Sequence, residues 1–156
     1  MHHKHSNKNL SIEKIEKGFA LARKAGLKTF GTFTFGLPGE TKESIKETME
    51  LAIKLNPYAV QFSYIVAYPG TILYEEAKKN NWLIEENQSG FGGCIRPAIL
   101  PSGLKMEELD GVVPRAYKKF YLRPEYILRQ LIEVRNLQDI KRLSSGGISL
   151  LRRLEK

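Results

Sequence analysis

The sequence predicts an α/β protein built on parallel strands, either a layered sheet or a barrel. Segments of helical and extended pattern alternate: a helical stretch from Ser11, the run "LKTFGTFTF" at Leu27–Phe35, a second helical stretch after Thr41, and the run "YAVQFSYIV" at Tyr58–Val66. The punctuation also repeats, because Pro38-Gly39 is followed 31 residues later by Pro69-Gly70, each pair after a strand and before a helix. Strands about 30 residues apart with a helix between them pair in parallel through right-handed crossovers. Both Pro-Gly turns then fall at the carboxyl ends of neighbouring strands, the edge where such sheets and barrels place their ligands.

In chain order, Ser11 suits an N-cap and Leu10 with Ile15 a hydrophobic staple, while Ile12, Ile15, Phe19 and Ala22 recur at helical spacing until Gly26 ends the helix. Leu27–Phe35 is rich in strand-forming Thr and Phe. Thr41 caps the second helix, whose apolar positions include Ile45, Met49, Ala52 and Ile53, and Asn56-Pro57 stops it. Tyr58–Val66 is nearly continuously apolar, as a strand covered on both faces would be. Thr71 then opens a third helix.

From Asn81 the pattern loosens. Asn87–Pro97, "NQSGFGGCIRP", is a loop by its Gly, Asn and Ser content, and "LPSGLKMEEL" places a turn before a helix capped at Ser102. Met106–Tyr121 carries an apolar stripe of Leu109, Val112, Val113, Ala116, Tyr117 and Phe120, with a break or kink expected at Pro114. Pro124 starts a further helix with Ile127, Leu128, Leu131, Ile132 and Val134 on its apolar side. The closing "ISLLRRLEK" is short, amphipathic and basic. The expected organisation is a disordered terminus at 1–9, an α/β part at 10–86, a loop region at 87–105 and a basic helical extension at 106–156.

The 156 residues, 42% hydrophobic and 27% charged, are enough for one modest core. No apolar run approaches the roughly 18 residues that span a bilayer, and no charged-then-apolar signal opens the chain, so a reducing cytoplasm is expected. Cys94 is the single cysteine, which excludes an intrachain disulfide and a thiolate-held zinc or iron–sulfur site made by this chain alone. The net charge of +8 sits in the tail, where Arg115 to Lys156 holds 11 basic against 4 acidic residues. Such a tail suits nucleic acid, an anionic membrane or an acidic partner; the default is a solvated helical extension, since no aromatic-basic recognition pattern accompanies it. His2, His3 and His5 suit a frayed terminus or the remnant of a truncation better than a metal site.

The stretch "FTFGLPGET", Phe33–Thr41, concentrates the chemistry. Gly36 and Gly39 let backbone approach a ligand, and Pro38 stiffens the bend between them. Glu40 can accept hydrogen bonds from a ribose hydroxyl, an amine or local backbone; equally, it can merely favour the positive end of the following helix. The pattern is neither GxGxxG nor GxxxxGK[ST], which argues against nucleotide-phosphate loops. Cys94 can face a substrate cavity as a hydrogen-atom or proton donor, or pack as a small apolar thiol. Trp82 reads as a core anchor, and Arg96 as a salt-bridged loop residue or a contact for an acidic substrate. "FYLRP" at Phe120–Pro124 reads as packing, with Tyr117 and Tyr121 one turn apart on one face.

The run "GLPGET" after a strand, "YPGTILYEEA" about 30 residues on and "AYKKFYLRPEYI" later together resemble the C-terminal part of radical S-adenosylmethionine enzymes, especially the group with an N-terminal cobalamin-binding domain. The resemblance covers about Leu10 to Leu137. It implies the last two strands, with crossover helices, of a partial (β/α)6 TIM-like barrel followed by a helical extension. In that family a CxxxCxxC motif holds a [4Fe-4S] cluster, which cleaves S-adenosylmethionine to a radical that abstracts hydrogen from substrate. A GxIxGxxE segment on the fifth strand helps hold the nucleoside. Gly36 matches its second glycine and Glu40 its acid, with Pro38 as an added residue, and Thr32 and Thr34 depart from its first glycine and Ile. The resemblance further implies Phe35 as an adenine-side wall and the backbone from Ile65 to Ala67 as part of the adenine pocket.

CxxxCxxC, four barrel strands and a cobalamin domain are absent from the sequence. The expectation is therefore a C-terminal fragment whose partners are the missing barrel half and cobalamin domain. The parent would act on a small molecule by methyl transfer or oxidative cyclisation, and the fragment alone would be inactive, with no catalytic residue or metal ligand assigned in it. S-adenosylmethionine, the [4Fe-4S] cluster and cobalamin belong to the parent. Two parallel strands leave an exposed edge, so the isolated chain is expected to be marginal or self-associating. The rival readings are a non-catalytic interaction module whose basic tail binds nucleic acid or anionic membrane, and a small α/β enzyme using Glu40 with a partner that the sequence does not supply.

Overall fold

The structure, a computed structural model, describes residues 11–84 and 96–134. The N-terminal histidines, Leu10 of the expected staple, Cys94 and the closing "ISLLRRLEK" lie outside the described residues, as does most of the 87–97 loop. The chain divides into two compact units, residues 1–113 and 114–156.

The first unit opens with α1 (Ile12–Lys24), capped where the sequence expects it: the Ser11 hydroxyl accepts the Lys14 N–H at 3.3 Å. At the other end Gly26, at φ 74°, lets its N–H reach the Arg23 carbonyl and the Leu27 N–H reach that of Ala22. These two bonds satisfy carbonyls that the helix leaves open.

β1 (Phe30–Phe35) and β2 (Ala59–Tyr64) pair in parallel, in register from Phe30↔Ala59 to Phe35↔Tyr64. Both are shorter than the apolar runs suggest. Asn56 takes the left-handed conformation and Pro57 has no N–H to give a ladder, so the Tyr58 N–H to Thr29 carbonyl bond is the last tie before β2 begins. At the far end Gly36 turns to φ 87° and takes the chain out of the sheet. Between the strands runs α2 (Lys42–Leu55), where the Ser44 N–H donates to the Thr41 hydroxyl at 3.2 Å and the Thr41 N–H to the Ser44 hydroxyl at 2.9 Å. Arg23 Nη2 donates to the Leu55 carbonyl at 2.7 Å and Lys54 meets Glu16 at 2.7 Å, tying α1 to the C-terminal end of α2.

The two sheet faces differ. Gly31, Phe35, Val60, Phe62 and Tyr64 share one face by alternation and are buried; α2 contacts β1 and buries Ile45, Met49, Ala52 and Leu55. The opposite face carries Phe30, Thr32, Thr34, Ala59, Gln61 and Ser63.

After β2, Thr71 caps α3 (Ile72–Lys79). A second cluster of Ala67, Ala77 and Ile99, with Trp82 packed against it, is pinned by an antiparallel bridge between Leu83 and Ile99. Trp82 is thus a packing anchor, as expected, but its indole also donates to the Ser102 hydroxyl at 2.9 Å. That use of Ser102 corrects the expected cap, because α4 (Met106–Leu109) begins after Lys105, whose N–H donates to the Glu108 carboxylate at 3.0 Å.

The break foreseen at Pro114 lies instead at Asp110-Gly111, with Gly111 at φ 70°. Pro114 sits in the first turn of α5 (Val112–Tyr121), where a missing N–H breaks no bond of the helix because first-turn N–H groups have no acceptor within it.

The second unit holds the rest of α5 and α6 (Pro124–Ile132), with Pro124 at the start of α6 as predicted. Tyr117 and Tyr121 stack at 6.0 Å, Tyr126 meets Tyr121 edge-on at 4.9 Å, and Arg123 lies 4.4 Å over the Phe120 ring. Two expectations need correcting. Phe120 is buried but Leu122 is 56% exposed, so only part of "FYLRP" packs. On α6 the aliphatic residues Ile127, Leu128, Leu131 and Ile132 are 44–72% exposed, while Gln130 is buried. Among the described residues no helix is long and apolar enough to cross a membrane.

A candidate cofactor-facing edge

The carboxyl ends of β1 and β2 bring the two Pro-Gly turns to one edge, and both have the same construction. The Glu40 N–H returns to the Leu37 carbonyl at 3.0 Å across Pro38-Gly39, and the Thr71 N–H to the Tyr68 carbonyl at 3.1 Å across Pro69-Gly70. Gly39 at φ 79° and Gly70 at φ 84° occupy the third position of a type II turn, which only a residue free of a Cβ adopts cheaply. Among the described residues neither has any atom within 4 Å of where a Cβ would stand, so backbone is open there.

The turns differ by one residue. Thr71 closes its turn and also caps α3, whereas in the first turn Glu40 intervenes before the capping Thr41. The additional residue folds back, and the Glu40 carboxylate accepts the Gly36 N–H. Glu40 is only 9% exposed, and burial raises its pKa above the ordinary value of 4.5, against the lowering effect of the amides of Gly36 and Leu37. The carboxylate therefore serves as an internal latch on the strand end, with local backbone as its partner.

Gly36 and Ile65 are neighbours across the strand ends: a Cβ on Gly36 would stand 3.5 Å from Ile65 Cγ2 and 3.7 Å from Leu109 Cδ2. The Ile65 N–H donates to the Phe35 carbonyl at 2.8 Å and extends the ladder to this edge. Phe35 itself is fully buried with its ring stacked 6.0 Å from Phe62, and Ala67 is buried with Ala77 and Ile99. Of the five sequence-derived positions, Gly36, Glu40 and Ile65 thus converge on the edge, while Phe35 and Ala67 pack beneath and beside it. Arg96 is exposed and forms no salt bridge among the described residues.

Sequence reasoning missed how α4 is held over this edge. The buried Tyr64 hydroxyl donates to the Leu109 carbonyl at 2.8 Å and accepts the Val113 N–H at 3.2 Å. Lys42 Nζ meets Glu108 Oε1 at 2.7 Å; this contact and the Lys105 amide hold the Glu108 carboxyl below its ordinary range. The one available signal was a tyrosine in line with Val60 and Phe62 on the buried face of β2, whose polar tip must find a partner once buried. Among the described residues no group of three or more His, Cys, Asp or Glu is placed to hold a metal.

No family model matches the chain. It is 35% identical over 112 residues to an uncharacterized methyltransferase of Pyrococcus horikoshii, covering 72% of this chain and 24% of that protein. It is 27% identical over 117 residues to an anaerobic magnesium-protoporphyrin IX monomethyl ester cyclase of Cereibacter sphaeroides, covering 75% of this chain and 19% of that protein. The cyclase of the same name from Rubrivivax gelatinosus is 24% identical over 121 residues, 78% of this chain and 21% of that protein. The chain therefore spans a quarter or less of the length of these curated relatives.

Proposed function

We propose that this chain works within a longer polypeptide, as the C-terminal part of the barrel of a cobalamin-associated radical S-adenosylmethionine enzyme that catalyses methyl transfer or oxidative cyclisation. The observation that carries the proposal is the strand-end geometry: Gly36 and Ile65 side by side at the carboxyl edge of a parallel pair, beside an open glycine turn. The names of the relatives, an uncharacterized methyltransferase and a cyclase, support the same reading.

The residues fit the cofactors unequally. The open turn backbone and the Gly36–Ile65 edge suit the nucleoside part of S-adenosylmethionine, which when bound would supply the methyl or radical chemistry. Glu40 would act there by holding Gly36 and the turn in place, and Phe35 by supporting the edge from below. A [4Fe-4S] cluster does not fit this chain, since one cysteine cannot provide three thiolates, and its ligands would lie elsewhere in the polypeptide. The test is equilibrium dialysis of the full-length protein with S-adenosylmethionine, followed by assay for 5′-deoxyadenosine under anaerobic reduction. Binding with cleavage is expected; absence of both would overturn the proposal.

A further inference from the structure

Helix α6 is inside out for a helix in water. A surface helix of a globular protein buries its apolar stripe and turns its polar residues to solvent. In α6 the buried residue is Gln130, one turn from Tyr126, whose ring meets those of Phe120 and Tyr121. Ile127, Leu128, Leu131 and Ile132, at i, i+1, i+4 and i+5, form one stripe on another side and are 44–72% exposed.

Leu122 links this stripe to α5. Its N–H donates to the Lys118 carbonyl at 3.0 Å, so it continues the helical path past Tyr121. Arg115, Lys118, Lys119 and Leu122, at i, i+3, i+4 and i+7, therefore share one face, and all four are exposed while Ala116, Tyr117 and Phe120 are buried. A basic ridge on α5 thus ends in an exposed leucine just before the aliphatic stripe of α6.

We propose that this surface docks on an anionic lipid membrane, with the aliphatic stripe of α6 entering the boundary between headgroups and acyl chains and the basic ridge drawn to the headgroups. Three observations choose that occupant. The stripe holds only Leu and Ile, without the aromatic or arginine anchors that carry protein–protein binding, and asks only for an apolar medium. From Arg115 to Lys156 the chain holds 11 basic against 4 acidic residues, so this part repels a second copy of itself and is attracted to an anionic surface. At nine residues α6 is too short to span a bilayer and suits lying in its interface.

The test is co-sedimentation of the full-length protein with vesicles of phosphatidylcholine and phosphatidylglycerol in equal parts, and with vesicles of phosphatidylcholine alone, at about 0.1 M and about 0.5 M salt. Binding at the lower salt should be at least tenfold tighter to the anionic vesicles and should weaken at the higher salt. Leu128→Gln combined with Leu131→Gln should reduce it tenfold or more, and Lys118→Gln combined with Lys119→Gln should reduce it severalfold. All four side chains are exposed, so unchanged circular dichroism and melting temperature should accompany both variants. No binding to the anionic vesicles would mean that other protein covers the stripe, and equal binding to both vesicles would remove the charge recognition. Full binding by the double leucine variant would reduce the contact to charge attraction alone. Any of these three results overturns the proposal. The readout does not involve S-adenosylmethionine, so it stands or falls separately from the cofactor reading.

Discussion

Glu40 shows how much of one residue is legible. Its place after Pro-Gly and before a capping threonine marked it as chemically special, with local backbone among its expected partners, and the structure shows that the partner is the Gly36 amide. Because burial raises its pKa, the protonated form is favoured by folding. Its contribution is therefore fully present below pH 4.5 and is lost as pH rises through the higher folded value. Glu40→Gln keeps the acceptor and removes that penalty, so its stability relative to the unsubstituted protein should increase between pH 4.5 and 8. Glu40→Ala leaves the Gly36 N–H unsatisfied and should cost about 1–3 kcal/mol. Urea unfolding followed through the chain's one tryptophan, Trp82, at several pH values checks both.

At the scale of elements, the helix and strand positions were readable because caps and periodicity are local. Ser11, Thr41 and Thr71 cap the helices they precede, and Gly26 and Asn56 end theirs. What escaped was tertiary. Pro114 was expected to break a helix that Asp110-Gly111 breaks instead, and Ser102 was expected to cap a helix but accepts a hydrogen bond from Trp82. The Tyr64 tether joins residues 45 and 49 positions apart, which no local pattern encodes. Tyr64→Phe removes the partner of the Val113 N–H and the donor to the Leu109 carbonyl. It should destabilise the first unit by about 1–3 kcal/mol. Native-state hydrogen exchange should show the Val113 amide exchanging faster while the α1 amides are unchanged; unaltered protection at Val113 would count against the tether. The Glu108–Lys42 contact has the opposite pH sign to Glu40. Its carboxyl is held below the ordinary value, so its contribution is present above pH 4.5 and fades as pH falls through the lower folded value.

For the whole molecule, the parallel α/β class followed from two helix–strand units with the same Pro-Gly punctuation, and the structure contains that pair of strands. Among the described residues β1 pairs with β2 alone, and Phe30 at its start is 60% exposed. The relatives are four or more times the length of the matched segment. The part of a site proposed for this chain is the edge formed by Gly36–Glu40 and Ile65, with the backbone to Ala67 beside it. The most direct test is photolabelling of the full-length protein with an azidoadenosyl analogue of S-adenosylmethionine, mapped by peptide mass spectrometry. The account predicts label within Gly36–Glu40 or Ile65–Ala67, competed away by S-adenosylmethionine; competed label confined to other parts of the polypeptide would contradict it.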